Sequence, residues 1–293
     1  MDEGVGLSIA RRRLLAAHEL VLIALGICTT FALLTVGNRS TTVIIEVLAV
    51  STLYLSVILA YRHRTDTLSQ RVRLLASFAF VLWYYCAIAR IVPALGVRLR
   101  DSMLLSFDES LFGRTPALYC ERIATPLLTD LMSLCYVIYH VYLFLAVFHA
   151  ALLANAASQR LAAYLFTGFA IGFVGYLLVP AIGPAAAYPQ LFTTPLHGGL
   201  ILRLVSAAVE KGSSAYDCFP SLHVMITCVL LDHDWREFRP RFWIMILPSI
   251  GLMISTVYLR YHYGVDVLAA FLLFLPFRKT FLKAWSRQIE CRN

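Results

Sequence analysis

Two histidines and one aspartate have the residue types and spacing that phosphoryl transfer needs. His262 lies four residues before Asp266, and residues at that spacing share one face of a helix. The carboxylate can accept a hydrogen bond from one imidazole nitrogen, which leaves the other nitrogen as a nucleophile. A second histidine, His223, could protonate a leaving group. This division of roles predicts a reaction that passes through a phosphohistidine.

A helix must present His223 at its start. Pro220, Ser221 and Leu222 come directly before this histidine, and the apolar run 224–231 follows it. Proline suits the first turn of a helix, because its missing N–H is not needed there. We therefore expect a helix that begins at Pro220. Backbone N–H groups at a helix N-terminus bind phosphate oxygens, so this entrance is a candidate phosphate site.

The composition predicts an all-α, polytopic membrane protein. Of the 293 residues, 60% are hydrophobic and 14% are charged, whereas soluble domains are about half apolar and about a quarter charged. The apolar residues form long blocks, and a membrane span needs about 20 of them in succession. We predict eight spans, at 17–36, 41–61, 73–92, 127–153, 161–182, 220–237, 242–260 and 262–280.

No linker-like segment breaks the chain, so we expect one membrane domain with two parts. Residues 1–92 would supply N-terminal transmembrane helices, and residues 93–293 would form a core built by the later spans. Between the spans, segments 93–126 and 183–219 combine proline and glycine with polar residues, which predicts loops with short interfacial helices.

The basic residues indicate how the spans are oriented. The net charge is +8, and most of the 25 lysines and arginines flank the spans at alternate ends. The positive-inside rule then places both termini in the cytoplasm. Two crossings separate His223 from His262, so both would open spans on the extracytoplasmic side. No basic helix with interleaved aromatic residues is present, so we expect no nucleic-acid partner.

Two motifs resemble those of the type 2 phosphatidic acid phosphatase superfamily. The family patterns are Pro-Ser-Gly-His and Ser-Arg-x5-His-x3-Asp, and the chain has FPSLH at 219–223 and STVYLRYHYGVD at 255–266. The positions of Ser255, His262 and Asp266 match the second pattern. The leucine in place of glycine and the tyrosines beside the histidine resemble the branch of inositol phosphorylceramide synthases and their bacterial relatives.

The resemblance implies a role for each motif residue. His262 would be the nucleophile that Asp266 orients, and His223 would be the general acid and then the general base. The remaining motif residues would bind the substrate phosphate: Ser221, Pro220, Leu222 and Ser255. The family works without a metal or cofactor, so we expect neither.

The chain departs from the family in its phosphate-binding cations. Thr256 stands where the second pattern has arginine, and the family's Lys-x6-Arg-Pro motif is absent from the loop before the sixth predicted span. A buried phosphate still needs compensating charge. The candidate replacements are Arg260, Lys211, Arg203 and Arg122. The loss favours a phosphodiester or a bulky headgroup as substrate.

Two classes of function remain open at the level of sequence. One is a lipid phosphatase or headgroup phosphotransferase that acts at the extracytoplasmic face of the bilayer. Its substrate would be a phospholipid, a sphingolipid or a polyprenyl phosphate, with water or an alcohol as acceptor. The other is a non-catalytic lipid-binding or transport protein with a degenerate site.

For several other polar and aromatic residues, the sequence favours a structural role. We expect Tyr136, Tyr139 and Tyr142 to form an aromatic packing face, with a cavity-lining role as the alternative, and segment 232–234 to be a solvated helix terminus. A further hypothesis pairs Cys120 with Cys218 in a disulfide, because both fall in predicted outward loops.

Overall fold

The computed structural model describes the backbone of residues 15–38, 40–212 and 214–290, and the side chains of these residues except Lys211 and 288–290. Within these ranges the chain is α-helical, with one short 3₁₀ turn and no strand. The helices are α1 (Ala17–Thr35), α2 (Thr41–Tyr61), α3 (Thr67–Leu95), α4 (Asp101–Phe112), α5 (Pro116–Glu121), α6 (Pro126–Leu153), α7 (Ala156–Leu178), α8 (Pro184–Ala187), α9 (Leu200–Gly212), α10 (Leu222–Glu237), α11 (Arg239–Tyr258) and α12 (Gly264–Glu290).

The protein is an all-α, integral multi-pass membrane protein, as the sequence predicts. Within the described residues, six helices are long and apolar enough to cross a membrane: α1, α2, α3, α6, α7 and α11. The expected count of eight is not confirmed. Helix α10 has only 16 residues, and the first 18 residues of α12 include the charged residues Asp266, Arg278 and Lys279.

The short helix α10 lies in the centre of the bundle. It packs against α6, α7, α11 and α12, and each residue in the segment 221–231 is buried. A helix that is apolar on all sides is stable only inside a protein or a membrane. Because its neighbours enclose it, α10 need not be as long as a lipid-facing span.

Small residues of α7 let this central helix approach closely. A Cβ atom added at Gly172 would lie 2.2 Å from Leu222 Cδ2, and one added at Gly175 would lie 2.2 Å from Pro220 Cδ. Small residues at such positions allow two helices to pack closely. They fix the position of the segment that leads into His223.

At the other end of α10, a buried ion pair replaces the solvated terminus that the sequence suggested. Asp234 is fully buried. It accepts hydrogen bonds from Arg241 Nε at 2.7 Å and from the Tyr142 hydroxyl at 2.7 Å. The solvated-terminus interpretation is therefore wrong, because α6 and α11 both cover this carboxylate.

Candidate active site

His262 is held by its Nδ1 atom. This nitrogen lies 2.8 Å from the Cys218 carbonyl oxygen and 3.4 Å from Asp266 Oδ2. A carbonyl oxygen can only accept a hydrogen bond, so Nδ1 carries the proton in this arrangement. The neutral ring then has its lone pair on Nε2, which makes Nε2 the nucleophilic atom.

Asp266 is fixed by donors from the segments on either side of the site. Its Oδ2 accepts from Tyr263 N at 2.8 Å and from Cys218 Sγ at 2.9 Å, while the carboxylate itself is fully buried. Burial and the neighbouring Asp266 charge raise the pKa of the Cys218 thiol well above its usual value. The thiol therefore stays protonated at neutral pH and serves as a donor.

The proposed disulfide is absent from this arrangement. Cys120 and Cys218 are both free thiols. The Cys218 thiol instead donates to Asp266.

The entrances of α10 and α12 lie side by side. Ser221 N donates to the Asp266 carbonyl oxygen at 3.3 Å. The ring centroids of His223 and His262 are 5.7 Å apart. The two histidines that the motifs identify are thus brought into one site, on the same side of the helix bundle.

Aromatic rings of α6 surround His223. The ring centroids of Tyr136 and Tyr139 lie 4.8 Å and 4.7 Å from its own. His140 follows at 6.1 Å. Within the described residues, the Nδ1 atom of His223 has no hydrogen-bond partner. Tyr136 also lines the cavity described below, so the aromatic face of α6 contributes to the site as well as to packing.

Both histidines open onto one small cavity of about 60 Å³. Its lining consists of Tyr136, Ile182, Val209, Ala215, Asp217, Cys218, His223, Tyr261 and His262. A water molecule needs about 10–15 Å³ of such space, so the cavity has room for a group of about four or five heavy atoms. A phosphoryl group between the two histidines would be of that size.

Asp217 is a cavity residue that the sequence did not reveal. Its carboxylate accepts a hydrogen bond from the Tyr85 hydroxyl of α3. No periodicity or motif connects these two positions, because 132 residues separate them. The contact shows that α3 also supports the cavity wall.

The residues predicted to bind phosphate have different environments. Helix α10 begins at Leu222 with Ser221 as its N-cap, so the expectation that Pro220 is the first helical residue is wrong. The Ser221 backbone is extended, as an N-cap requires. Its buried hydroxyl has no partner within the described residues. Leu222 and Pro220 contact α7, as described above, and the Ser255 hydroxyl donates to the Leu252 carbonyl oxygen at 2.7 Å.

The candidate cations do not line the cavity in the described part of the chain. Arg260 Nη2 donates to the Thr194 carbonyl oxygen at 2.7 Å, and its guanidinium lies 4.2 Å from the centroid of the Phe192 ring. Arg122 lines a separate cleft of about 300 Å³, and Arg203 is exposed on α9. Lys211 belongs to α9, but its side chain lies outside the described residues.

One cluster has atoms that could in principle hold a metal ion. Ligand atoms of Cys218, His262 and Asp266 lie within 4.8 Å of one another. In the observed arrangement, however, the thiol proton and the Nδ1 proton are both used in hydrogen bonds. A metal would have to displace both protons, and the raised pKa of Cys218 opposes the loss of the first. This geometry does not fit a metal site, and a metal-free reaction stays a prediction.

The fold and the site together define a class: a multi-pass helical membrane protein with a histidine–aspartate pair and a second histidine around one buried cavity. Residues 102–276 match the family model of the PAP2 superfamily, and the chain belongs to that superfamily. No curated protein and no solved structure matches the chain. Members of the superfamily are phosphatases, which indicates phosphatase-type activity on a lipid phosphate or another phosphoester.

Proposed function

We propose that this protein is a lipid phosphatase or headgroup phosphotransferase that uses His262 as a phosphorylated intermediate. The observation that carries the proposal is the geometry of the two histidines. Nδ1 of His262 is occupied by the Cys218 carbonyl and by Asp266, and His223 faces the same cavity. A phosphoester in this cavity would lie between a nucleophile and a proton donor.

The reaction would take place in two steps. First, Nε2 of His262 attacks phosphorus, the bond to the leaving oxygen breaks, and protonated His223 gives its proton to that oxygen. Asp266 stabilises the positive charge that develops on the His262 ring. Next, His223 takes a proton from water or an alcohol, whose oxygen attacks phosphorus and breaks the P–N bond. A phosphodiester donor gives a phosphomonoester with water or a new phosphodiester with an alcohol, a phosphomonoester donor gives free phosphate with water, and the neutral His262 ring is restored.

The charge around the cavity supports a singly charged phosphodiester as substrate. The described part of the lining contains no lysine or arginine side chain, and Thr256 stands where the family motif has arginine. A doubly charged phosphomonoester in a partly dry site would need more compensating charge than a diester. We therefore propose a substrate among phospholipids and sphingolipids. A polyprenyl phosphate remains a member of the test panel, and the inositol-phosphoryl type of transfer rests on the resemblance of the motifs.

The test is a lipid panel with purified protein, analysed by mass spectrometry. Its members are phosphatidate, polyprenyl phosphate, phosphatidylinositol and ceramide, alone and in pairs. A new phosphodiester identifies a transferase, whereas a released phosphomonoester or free phosphate identifies hydrolysis of a diester or of a monoester. We expect His262→Ala and His223→Ala each to lower turnover by about 10³-fold or more.

His197→Ala is the matched control, because His197 is exposed and lies outside the cavity. Turnover in His262→Ala that equals wild type would exclude the phosphohistidine. Lipid binding without any product, in the wild-type protein, would favour the alternative of a non-catalytic lipid-binding or transport protein.

A further inference from the structure

Helix α4 carries two buried carboxylates that the proposed reaction does not use. Asp101 and Asp108 are seven residues apart, which is about two turns, so both lie on one face of the helix. Their exposed fractions are 5% and 0%. Neither residue lines the cavity. Carboxylates this deeply buried need hydrogen-bond donors, and the donors identify their role.

Asp108 holds the start of α12. Its Oδ2 accepts from Gly264 N at 3.0 Å and from Thr115 Oγ1 at 2.7 Å, and its Oδ1 accepts from Val265 N at 2.8 Å. Gly264 and Val265 are two of the three residues between His262 and Asp266. The carboxylate therefore binds the backbone of the catalytic motif itself, at the positive end of the α12 dipole.

Asp101 holds the part of the cavity wall that contains Ile182. Its Oδ1 accepts from Gly183 N at 3.0 Å, from Ile182 N at 3.1 Å and from the Tyr263 hydroxyl at 3.0 Å. Ile182 lines the cavity. A Cβ atom at Gly183 would lie 2.3 Å from the Tyr261 carbonyl oxygen, so these two segments are in close contact at this point.

We propose that α4 is a clamp whose two aspartates are positioning residues for the active site. Asp108 fixes the backbone that joins His262 to Asp266, and Asp101 fixes the wall segment 182–183 against the turn before α12. Neither touches the reacting atoms. The inference rests on the proposed function, because it assigns these residues to the same site.

Burial raises the pKa of both carboxyl groups, while the hydrogen bonds from the backbone and from Thr115 and Tyr263 act in the opposite direction. The hydrogen bonds therefore offset part of the free-energy cost of burying each carboxylate.

The geometry predicts different outcomes for the two aspartate-to-asparagine substitutions. In Asp108→Asn, an NH₂ group replaces one of two oxygens that both accept from backbone N–H groups. Whichever way the amide turns, Gly264 N or Val265 N loses its acceptor. In Asp101→Asn, the amide oxygen can occupy the Oδ1 position and keep all three donors. The NH₂ group then takes the Oδ2 position, whose one contact is from Ile182 N at 3.2 Å, and Ile182 N keeps its bond to the Oδ1 position.

The experiment compares Asp108→Asn, Asp101→Asn and the control Glu109→Gln in the full-length protein. Glu109 is exposed on the same helix. We measure kcat and KM with whichever lipid of the panel is turned over. For Asp108→Asn we expect kcat to fall about 10²-fold, the size of effect that a misplaced catalytic group causes, with KM within about threefold. We expect Asp101→Asn to stay within about fivefold of wild type and Glu109→Gln to equal it.

A second measurement does not depend on activity. In protein labelled with ¹⁵N-histidine, the Nδ1–H signal of His262 is identified by its loss in His262→Gln. We expect this signal to shift or exchange faster in Asp108→Asn and to remain in Asp101→Asn. Equal kcat losses in both variants, with an unchanged Nδ1–H signal in Asp108→Asn, would overturn the clamp. A wild-type protein that turns over no lipid would instead contradict the proposed function, and the NMR comparison would still decide on the clamp.

Discussion

Cys218 contributes to the site through two different atoms. Its carbonyl oxygen accepts from His262 Nδ1, and its thiol donates to the carboxylate of Asp266. The carbonyl fixes the tautomer of His262, the proposed nucleophile, and this contact does not depend on the side chain. The thiol, by contrast, helps to hold the buried negative charge that faces the imidazole.

Removal of the thiol should therefore weaken, but not abolish, catalysis. In Cys218→Ala, Asp266 loses one donor that is worth about 1 kcal/mol. If the loss raises the free energy of the transition state by this amount, kcat falls about fivefold. We expect Cys218→Ser to restore most of the rate, because its hydroxyl can donate to the same oxygen. Steady-state kinetics on the preferred lipid provides the measurement.

Cys228→Ala is the matched control, because Cys228 is buried, as Cys218 is, but lies within α10 and is absent from the cavity lining. If the serine variant is as slow as the alanine variant, packing rather than hydrogen bonding explains the effect of Cys218.

At the scale of residues, the sequence singled out the two histidines and the motif aspartate, and their side chains lie close together. The expected helical spacing of His262 and Asp266 is not observed, because α12 begins at Gly264, after His262. The sequence did not predict Cys218 as a partner of Asp266, since the two side chains meet only when α10 and α12 begin side by side. The position of Asp217 was equally hidden, since its contact depends on how α3 packs.

The elements that hold the site are packed unusually closely around α10. Its entrance lies against α7, where Gly175 faces the ring of Pro220 and the carbonyl oxygen of Phe219. Neither group can turn aside as a flexible side chain can. Leu222, which faces Gly172, has rotamers available. The two glycines should therefore differ in their tolerance of a methyl group.

We expect Gly175→Ala to destabilise the protein by about 1–3 kcal/mol, the usual cost of overpacking, and to lower kcat, because the displaced segment carries His223. Gly172→Ala should cost less. Gly212→Ala is the control, since a Cβ atom there would meet no other atom within 4 Å. Thermal unfolding in detergent, together with kinetics on each variant, tests the ranking. A Gly175→Ala protein as stable and active as Gly212→Ala would contradict it.

The sequence located the apolar helices well and their ends less well. The third span was expected at 73–92, but α3 begins at Thr67, because Asp66 caps it through Ser69 N at 3.1 Å. The added turns contain Arg71, which donates to the Ala151 and Leu152 carbonyl oxygens of α6 at 2.9 Å and 2.8 Å. Hydropathy alone excludes such charged turns from a span, although they continue the same helix.

For the whole molecule, the apolar side chains that remain exposed define the surface that faces lipid. Examples are Ile27, Phe31, Leu127 and Leu152, which are each at least half exposed. Such a surface is expected only in a bilayer. The division at residue 92 stays a prediction, although the contact between Tyr85 and Asp217 shows that the first part touches the cavity wall.

The distribution of basic residues predicts that the active site faces away from the cytoplasm. We expect a cysteine introduced at Thr193 to react with a membrane-impermeant maleimide in intact cells, and one at Gln159 to react only after permeabilisation. Both positions are exposed and fall on opposite sides of the predicted topology. The unmodified protein controls for its native thiols. Labelling of Gln159→Cys alone in intact cells would reverse the orientation.

The cavity of about 60 Å³ also bears on the order of events during turnover. It has room for about one phosphoryl group, so the rest of a lipid donor or acceptor must lie outside it. Because His223 serves both the leaving group and the acceptor in the proposed reaction, the two groups must occupy the same place in turn. Steady-state rates measured against donor and acceptor concentrations should accordingly give parallel double-reciprocal lines, the mark of a ping-pong mechanism.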